Sequence, residues 1–135
     1  MALTNAAWVL RHRPEGEIQA TDLELTESPL GALGPDQILV KNIYLSLDPT
    51  NRVWMSDRDQ YLPPVGIGDV MRGVTVGVVE ESMSSRFQPG DAVVLGEGGW
   101  QAYTICDASA AGRVRYRDNV PLTASLSVLG TTGLT

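Results

Sequence analysis

The sequence predicts one mostly β domain whose short strands form a barrel or a sandwich. The chain has 135 residues, which fits a single domain of ordinary size. Its 14 glycines and 8 prolines divide it into short apolar runs, a spacing typical of strands joined by turns. The hydrophobic share of 43% is sufficient for one buried core, and the charged share of 19% is too low for a disordered tail.

The first strands are predicted at Trp8–Arg11 and Leu23–Thr26, the second with alternating apolar and polar residues. Ile38–Leu47 is the strongest candidate, because both parities of the run are apolar and both faces are therefore expected to be largely covered. Asp48-Pro49 ends this strand, since proline lacks a backbone donor and restrains the residue before it. A long polar loop is predicted over residues 48–64, where function often resides.

The next strand is predicted at Val70–Glu81, a run rich in valine. Gly73 and Gly77 interrupt it, which indicates a bulge or a sharp bend and hence a curved strand. Pro89-Gly90-Asp91 has the composition of a turn before the following strand.

Two further strands are predicted at Ala92–Leu95 and Trp100–Cys106, with Gly96–Gly99 between them as a hairpin turn. Leucines at helical spacing in Pro121–Leu129 predict a short helix that ends at Gly130. The chain then stops at Gly133-Leu134-Thr135 without a capping residue or a polar tail, which is less typical of a natural domain end than of a cut.

The charge distribution argues against a nucleic-acid partner. The chain carries a formal net charge of −6, the wrong sign for a surface that follows phosphates, and Lys41 is its one lysine. The first residues lack the basic and apolar regions of a signal peptide, and no apolar run of 18 residues occurs. We therefore expect a cytoplasmic protein without a membrane partner.

The residues for metal or nucleophilic catalysis are sparse. Cys106 is the one cysteine and His12 the one histidine, so neither an internal disulfide nor a zinc site is expected. A catalytic triad would need His12, which lies in an Arg-His-Arg run typical of solvated surface. No metal is therefore predicted.

The glycine clusters do not match a nucleotide-binding motif. Gly66 and Gly68 are followed by Met71 where a dinucleotide fingerprint needs its third glycine, and Gly96–Gly99 lacks the lysine of a phosphate loop. Met55 and Met71, together with Trp54 and Trp100, could line an apolar pocket, although packing in the core is the favoured interpretation.

The segment predicted as a long loop carries a resemblance to a known family. Tyr44–Pro49, followed by Arg52, Met55–Asp57, Tyr61 and Pro63–Val65, resembles the N-terminal half of the medium-chain dehydrogenase/reductase superfamily. The nearest branch is the zinc-independent one that holds prostaglandin, plant double-bond and curcumin reductases. Other matching runs occur in the same order: Trp8–Leu10, Gly73, Val79–Ser82, Phe87–Asp91, Gly99–Tyr103 and Leu129–Thr135.

The resemblance implies a GroES-like, partly open β-barrel with short helices, spanning residues 1–135 and ending near the junction with a Rossmann domain. It also implies NADPH-dependent reduction of the C=C bond of an α,β-unsaturated ketone or aldehyde, with hydride transfer to the β-carbon and protonation at the α-carbon. The Rossmann domain would hold most of the NADPH, so the chain alone is expected to be inactive. A homodimer of the full-length enzyme is left open.

The resemblance also assigns roles to individual residues. Tyr61 matches a family tyrosine whose neutral hydroxyl donates to the substrate carbonyl oxygen; its other interpretation is a ring packed on the barrel mouth. Asn51 falls near nicotinamide and substrate in relatives, although asparagine is also common in turns. Thr131, Thr132 and Thr135 fall beside the nicotinamide, or are simply exposed hydroxyls at a helix end.

Two departures from the family pattern concern the pocket. Thr50-Asn51 stands where relatives often have Tyr-Met, and Thr131-Thr132 stands where they often have Met-Pro. Both changes predict a more polar pocket and leave the substrate undefined. An alternative function is a free-standing barrel that binds small molecules or other proteins without catalysis.

Overall fold

A computed structural model describes residues 3–47, 49–57 and 62–114. Within these ranges the chain forms seven strands and one short α-helix. The strands are β1 Thr4–Leu10, β2 Leu23–Pro29, β3 Gln37–Leu45, β4 Thr75–Ser82, β5 Ala92–Leu95, β6 Tyr103–Asp107 and β7 Ala111–Arg113, and the helix is α1 Thr50–Trp54. The prediction of a mostly β domain is confirmed.

The strands form two antiparallel sheets. β1 pairs with β2 along its whole length, from Thr4 opposite Pro29 to Leu10 opposite Leu23. The larger sheet has the order β6-β3-β4-β5-β7. Backbone hydrogen bonds join β1 to the segment before β6, from the Trp8 N–H to the Trp100 carbonyl at 2.8 Å and from the Ala102 N–H to the Ala6 carbonyl at 2.8 Å. The larger sheet therefore curls toward β1 and forms the partly open barrel that was predicted.

The buried apolar side chains form two clusters. One fills the curl of the larger sheet: Ile38, Val40, Val79, Phe87, Val93, Leu95 and Ala108. The other lies between β1, α1 and the segment before β4: Leu10, Trp54, Met55, Val65 and Met71. Full burial of one such side chain is worth about 1.5–3 kcal/mol. The interpretation of Trp54, Met55 and Met71 as core residues is confirmed.

The prediction that both faces of β3 are covered is wrong for its second half. Ile38, Leu39 and Val40 are buried, but Ile43 and Tyr44 are 45% and 43% exposed. The reason is a register shift between Asn42 and Tyr44 in the pairing with β4, which leaves Ile43 without an opposite residue. Such a bulge re-aims the side chains that follow it.

The irregularity predicted around Gly77 is present. Gly77 lies opposite Asn42, next to the register shift, and a Cβ built on it would meet the carbonyl oxygen of Lys41. The strand itself begins at Thr75, later than predicted, because Val70 forms an isolated bridge with Val9 of β1.

The polar loop predicted over residues 48–64 contains α1. Pro49 precedes the helix with φ −58° and ψ −25°, values that already belong to the α region. Proline suits this position because the first residues of a helix need no N–H partner. The first part of the segment is therefore helical, and Trp54 at its end is buried.

The hairpin predicted at Gly96–Gly99 is wrong. β5 pairs with β4 and β7, whereas β6 pairs with β3. The connecting segment crosses to β1, where the Trp8–Trp100 backbone bond holds it, so the two strands are never adjacent. The helix predicted at Pro121–Leu129 lies outside the described residues. In the part of the chain that the structure describes, no helix is long and apolar enough to cross a bilayer.

Candidate functional site

Asn51 connects α1 to the segment that leads into β4. Its side chain is buried, with 6% exposed, and its Nδ2 donates to the backbone carbonyl of Arg72 at 3.3 Å. The helix is held at its other end by a 3.0 Å bond from the Val65 N–H to the Trp54 carbonyl. These bonds fix the rim of the second apolar cluster.

Arg72 places a cation at this rim. Its guanidinium carbon lies 5.4 Å from the centroid of the Trp54 ring, within the range of a cation–π contact. Its Nε is 3.5 Å from Oε1 of Glu97, and the side chains of Arg72 and Glu97 are 15% and 67% exposed. An ion pair with so exposed a carboxylate is worth little, about 0–1 kcal/mol.

Several buried donors near Arg72 have no hydrogen-bond partner among the described residues. They are the Arg72 Nη1, the indole Nε1 of Trp54, the indole Nε1 of Trp100 and the Thr75 hydroxyl. Leaving a buried donor unpaired costs about 1–3 kcal/mol, and more for a charged group. Buried polar groups in proteins usually have hydrogen-bond partners, and exceptions are common at functional sites. These unpaired donors therefore mark the region as a candidate site.

Two glycines allow these donors to approach one another. A Cβ on Gly73 would stand 2.9 Å from Trp100 Nε1 and 2.8 Å from Leu45 Cδ1, and a Cβ on Gly98 would overlap the Thr75 hydroxyl. The indole of Trp100 therefore rests directly on the backbone next to Arg72. A larger residue at Gly73 would displace Trp100, and a larger residue at Gly98 would displace Thr75.

A polar network holds the segment that carries Trp100. Gln101 Nε2 donates to the Gly98 carbonyl at 2.8 Å, and the Thr104 hydroxyl donates to the same oxygen at 2.6 Å. Asn42 Nδ2 donates to Thr104 Oγ1 at 2.8 Å, and Asn5 Nδ2 donates to Gln101 Oε1 at 2.9 Å. These bonds tie β1, β3 and β6 together behind Trp100 and limit its movement.

An open groove of about 310 Å³ borders the same region. The lining is mainly apolar and comes from β1, β2, the exposed half of β3 and the segment around Trp100: Ala6, Trp8, Leu25, Asn42, Ile43, Tyr44, Leu45, Thr75, Gly99, Trp100, Gln101 and Ala102. Its volume is within the range of small-molecule sites. Leu45, Thr75 and Trp100 belong both to the groove and to the region around Arg72.

The residues considered for metal or nucleophilic chemistry lie elsewhere. His12 is exposed. Cys106 is on β6 opposite Ile38, and burial, followed by the negative charge of Asp107, raises the pKa of its thiol. Across residues 3–47, 49–57 and 62–114, no three His, Cys, Asp or Glu side chains are grouped to hold a metal ion.

Of the residues that the family resemblance selected, Asn51 is the one that the structure describes. It lies at the rim beside Arg72 and Trp54. Tyr61, Thr131 and Thr135 lie outside the described residues, and their roles stay predictions. Arg72 was missed, although an arginine within the valine-rich run from Val70 was a visible signal.

The described residues do not form a dinucleotide cradle. A pyrophosphate usually binds at a glycine turn that opens a helix. The one α-helix of the described part has five residues and follows Pro49, and its first turn contains no glycine. The described residues therefore show no place for the pyrophosphate of a dinucleotide, and the contact of Asn51 with a nicotinamide stays a prediction.

Residues 6–114 match the family described as the N-terminal domain of oxidoreductase. The chain is 42% identical over 131 residues to the NADPH-dependent curcumin reductase of Escherichia coli, covering 97% of this chain and 37% of that protein. It is 30% identical over 131 residues to prostaglandin reductase 1 of Bos taurus, covering 96% of this chain and 37% of that protein.

The fold agrees with solved structures of the same group. CurA from Vibrio vulnificus superposes with a TM-score of 0.88 at 35% identity, over 96% of this chain and 38% of that chain. CurA from the same organism in complex with NADPH gives a TM-score of 0.86 at 35% identity, over 95% of this chain and 37% of that chain. The chain thus spans little more than a third of these relatives' length. It belongs to the N-terminal domain family of medium-chain dehydrogenase/reductase enzymes, on the branch of the curcumin, prostaglandin and alkenal reductases.

Proposed function

We propose that this chain is the substrate-side domain of an NADPH-dependent reductase that acts on the C=C bond of α,β-unsaturated ketones or aldehydes. The observation that carries the proposal is the 42% identity with a curcumin reductase over 97% of this chain. A 2-alkenal reductase of Nicotiana tabacum, 29% identical over 98% of this chain, supports the same substrate class.

The chain supplies a place for the carbon skeleton and a donor for the carbonyl oxygen. The groove beside Trp8 and Trp100 is apolar and suits an extended hydrocarbon chain. On the family resemblance, Tyr61 donates its hydroxyl to the carbonyl oxygen, where negative charge develops during reduction. A phenol with a pKa of about 10 remains protonated at neutral pH and can donate.

NADPH supplies the hydride when it is bound. Because the described residues lack a pyrophosphate cradle, we infer that a Rossmann domain must hold most of the cofactor. On the resemblance, Asn51, Thr131 and Thr135 contact only its nicotinamide end. The 135-residue chain should therefore neither retain NADPH nor turn over substrate by itself.

The test is NADPH oxidation with a simple enone, followed by the loss of nicotinamide absorbance. The 135-residue chain is compared with the protein encoded by its complete reading frame. We expect turnover only from the longer protein, provided that the frame continues into a glycine-rich βαβ unit. Turnover by the 135-residue chain alone would contradict the inference that a Rossmann domain must hold NADPH. Absence of turnover by both proteins would contradict the proposed reductase function.

The role of Tyr61 is tested in that longer protein with Tyr61→Phe. Loss of the hydroxyl should lower kcat by about 100-fold, in the range seen when one oxyanion donor is removed, while enone binding changes little. An unchanged kcat would remove the hydroxyl from the reaction.

The second candidate function is a non-catalytic module that binds an apolar small molecule or another protein. The observation in its favour is the exposure of the groove, where Trp8 is 43% and Leu25 53% exposed. A stop codon after Thr135, together with ligand binding by the isolated chain, would favour this function over the reductase.

A further inference from the structure

We propose that Trp100 is the specificity-determining residue of the groove, and that its indole limits the width of the group that a bound enone places there. The inference rests on the proposed function for the reaction, but the size limit is a property of the binding site alone. Its basis is the position of Trp100 between the groove and the second apolar cluster.

Trp100 contributes to two environments at once. It lines the groove together with Trp8 of β1 and Leu45 of β3. It also packs against the second apolar cluster, which includes Trp54 and Met71. Among the residues that the structure describes, no other both lines the groove and packs in or against this cluster. Trp100 therefore separates the groove from the core.

The backbone of Trp100 is bonded on both sides. Its N–H donates to the carbonyl of Met71 in the cluster at 2.8 Å, and its carbonyl accepts from the N–H of Trp8 in the groove at 2.8 Å. Gly99 precedes it with φ +85°, a conformation that favours glycine. The start of the Trp100 side chain is therefore held in place by two different segments.

The indole itself is closely packed. A Cβ built on Gly73 would stand 2.9 Å from both Cδ1 and Nε1 of Trp100, and 2.8 Å from Cδ1 of Leu45. The edge of the indole and Leu45 therefore occupy the space that a side chain at Gly73 would take. A large ring in such packing does not move aside for a ligand without displacing its neighbours. We therefore treat it as a rigid boundary of the groove.

The groove is small enough for this boundary to limit the ligand. Its volume of about 310 Å³ is near the lower end of the range for small-molecule sites. Four other large side chains along it are between 43% and 53% exposed, namely Trp8, Leu25, Ile43 and Tyr44. Those side chains have room to turn toward solvent, whereas Trp100 is more buried. The limit on ligand width therefore lies at Trp100.

The first test is reduction of two isomeric enones by the protein from the complete reading frame. The substrates are (E)-oct-3-en-2-one, which carries a linear butyl group, and (E)-5,5-dimethylhex-3-en-2-one, which carries a tert-butyl group. They have the same formula and the same reacting group, so they differ in width and not in carbon number. The measured quantity is the ratio of kcat/KM for the branched isomer to kcat/KM for the linear one.

Trp100→Leu should raise this ratio by roughly 10- to 100-fold, within the range by which hydrophobic pockets discriminate between groups of different size. Trp100→Phe should raise it less, because a smaller ring still closes the groove. Trp8→Leu is the matched control, since it makes the same exchange at a groove residue that does not pack against the second cluster. It should weaken binding of both isomers and leave the ratio nearly unchanged.

The ratio distinguishes a specificity role from a structural one. Loss of a packed indole lowers the melting temperature in either case, but a general loss of folded protein reduces turnover of both isomers equally. If Trp100→Leu does not fold, Trp100→Phe decides the question by the direction of its change. An unchanged ratio in the folded Trp100 variants, or an equal rise in Trp8→Leu, would overturn the proposal.

Ligand binding by the 135-residue chain separates this inference from the proposed function. The probes are octan-2-one and 5,5-dimethylhexan-2-one, which are saturated and cannot alkylate Cys106, and NMR titration measures their affinities. We expect the unaltered chain to prefer the linear ketone and Trp100→Leu to lose that preference. Equal affinities in the unaltered chain, or no binding of either ketone, would refute the size limit. Failure of the longer protein to reduce either enone would refute the reductase, while the titrations would still decide the role of Trp100.

Discussion

Asn51 and Arg72 are linked through the backbone, because the Arg72 carbonyl accepts the Asn51 side-chain N–H at 3.3 Å. The bond anchors α1 to the segment before β4 and positions the Arg72 side chain over Trp54. Asn51 therefore has a structural role that the family resemblance does not indicate. The contacts with substrate and nicotinamide that the resemblance implies would be additional.

Replacement of Asn51 by alanine should destabilise the chain by about 1–3 kcal/mol, since the hydrogen bond from this buried side chain to the Arg72 carbonyl is lost. Urea unfolding followed by tryptophan fluorescence gives the difference. The exposed Gln88 supplies the control, because Gln88→Ala should change the free energy of unfolding by less than about 0.5 kcal/mol. Equal midpoints for the two variants would show that the bond contributes nothing.

Cys106 should react slowly with iodoacetamide at neutral pH. Burial first, and then the charge of Asp107, raises the pKa of the thiol, and only the thiolate reacts. The rate should increase in alkaline solution, and Asp107→Asn should increase it modestly by removing the smaller cause. Urea-unfolded chain is the reference, and a folded chain that reacts equally fast would disprove the raised pKa.

The same shift has a consequence for stability. A raised pKa means that the folded state favours the protonated thiol, so its contribution to stability is complete below the pKa of the unfolded thiol. That contribution is lost as the pH rises through the folded pKa.

At the scale of elements, the β3–β4 pair determines the shape of the barrel. The register shift beside Gly77 leaves Ile43 of β3 without a partner on β4. The end of β3 is thereby directed toward the groove. Gly77 fits because a Cβ there would lie against the Lys41 carbonyl and 2.7 Å from Val40 Cγ1. The close approach of two backbones, rather than a turn, requires this glycine.

Gly77→Ala should cost on the order of 1–3 kcal/mol, because the clash is with backbone atoms that cannot rotate away. Gly96→Ala is the control, since nothing lies within 4 Å of a Cβ at Gly96. Thermal unfolding of the two variants measures the difference. Equal melting temperatures would mean that the two strands separate at little cost.

At the scale of the whole molecule, the curl of the larger sheet toward β1 creates the groove. Trp8 and Leu25 are cross-strand partners on β1 and β2, and they meet the exposed end of β3 there. Concentration of apolar side chains on one open surface is typical of a binding site or an interface.

Leu25→Lys should weaken binding of an apolar fluorescent dye by several-fold while the melting temperature stays nearly constant. Met83→Lys is the matched control: Met83 is 60% exposed, compared with 53% for Leu25, and it does not line the groove. Dye titration compares the two variants. Equal loss in both would show that the dye reports general hydrophobicity and that the groove binds nothing specifically.

Elements that depend on interactions between residues close in the sequence were predictable, whereas those that depend on contacts between distant residues were not. The strands at Trp8, Leu23 and Ala92 depend on local alternation and β-branched residues, and all three are present. The bounds are as predicted only for β5, since β1 runs from Thr4 to Leu10 and β2 continues to Pro29. The helix after Pro49 was missed because five residues are too few for a helical period. The hairpin at Gly96–Gly99 was wrong, because turn composition does not reveal which strand will be the neighbour.

The sequence by itself determined the mostly β class and, through an ordered set of motifs, the family. Hydrophobic alternation and turn residues are local properties, and the order of the motifs can be read directly from the sequence. Only the tertiary structure decided that Arg72, Trp54 and Trp100 meet at one rim and that the end of β3 opens onto a groove. These features arise from a bulge, from close backbone approaches at glycines and from a segment that crosses to β1. Each joins residues that are distant in the chain, so no local pattern encodes it.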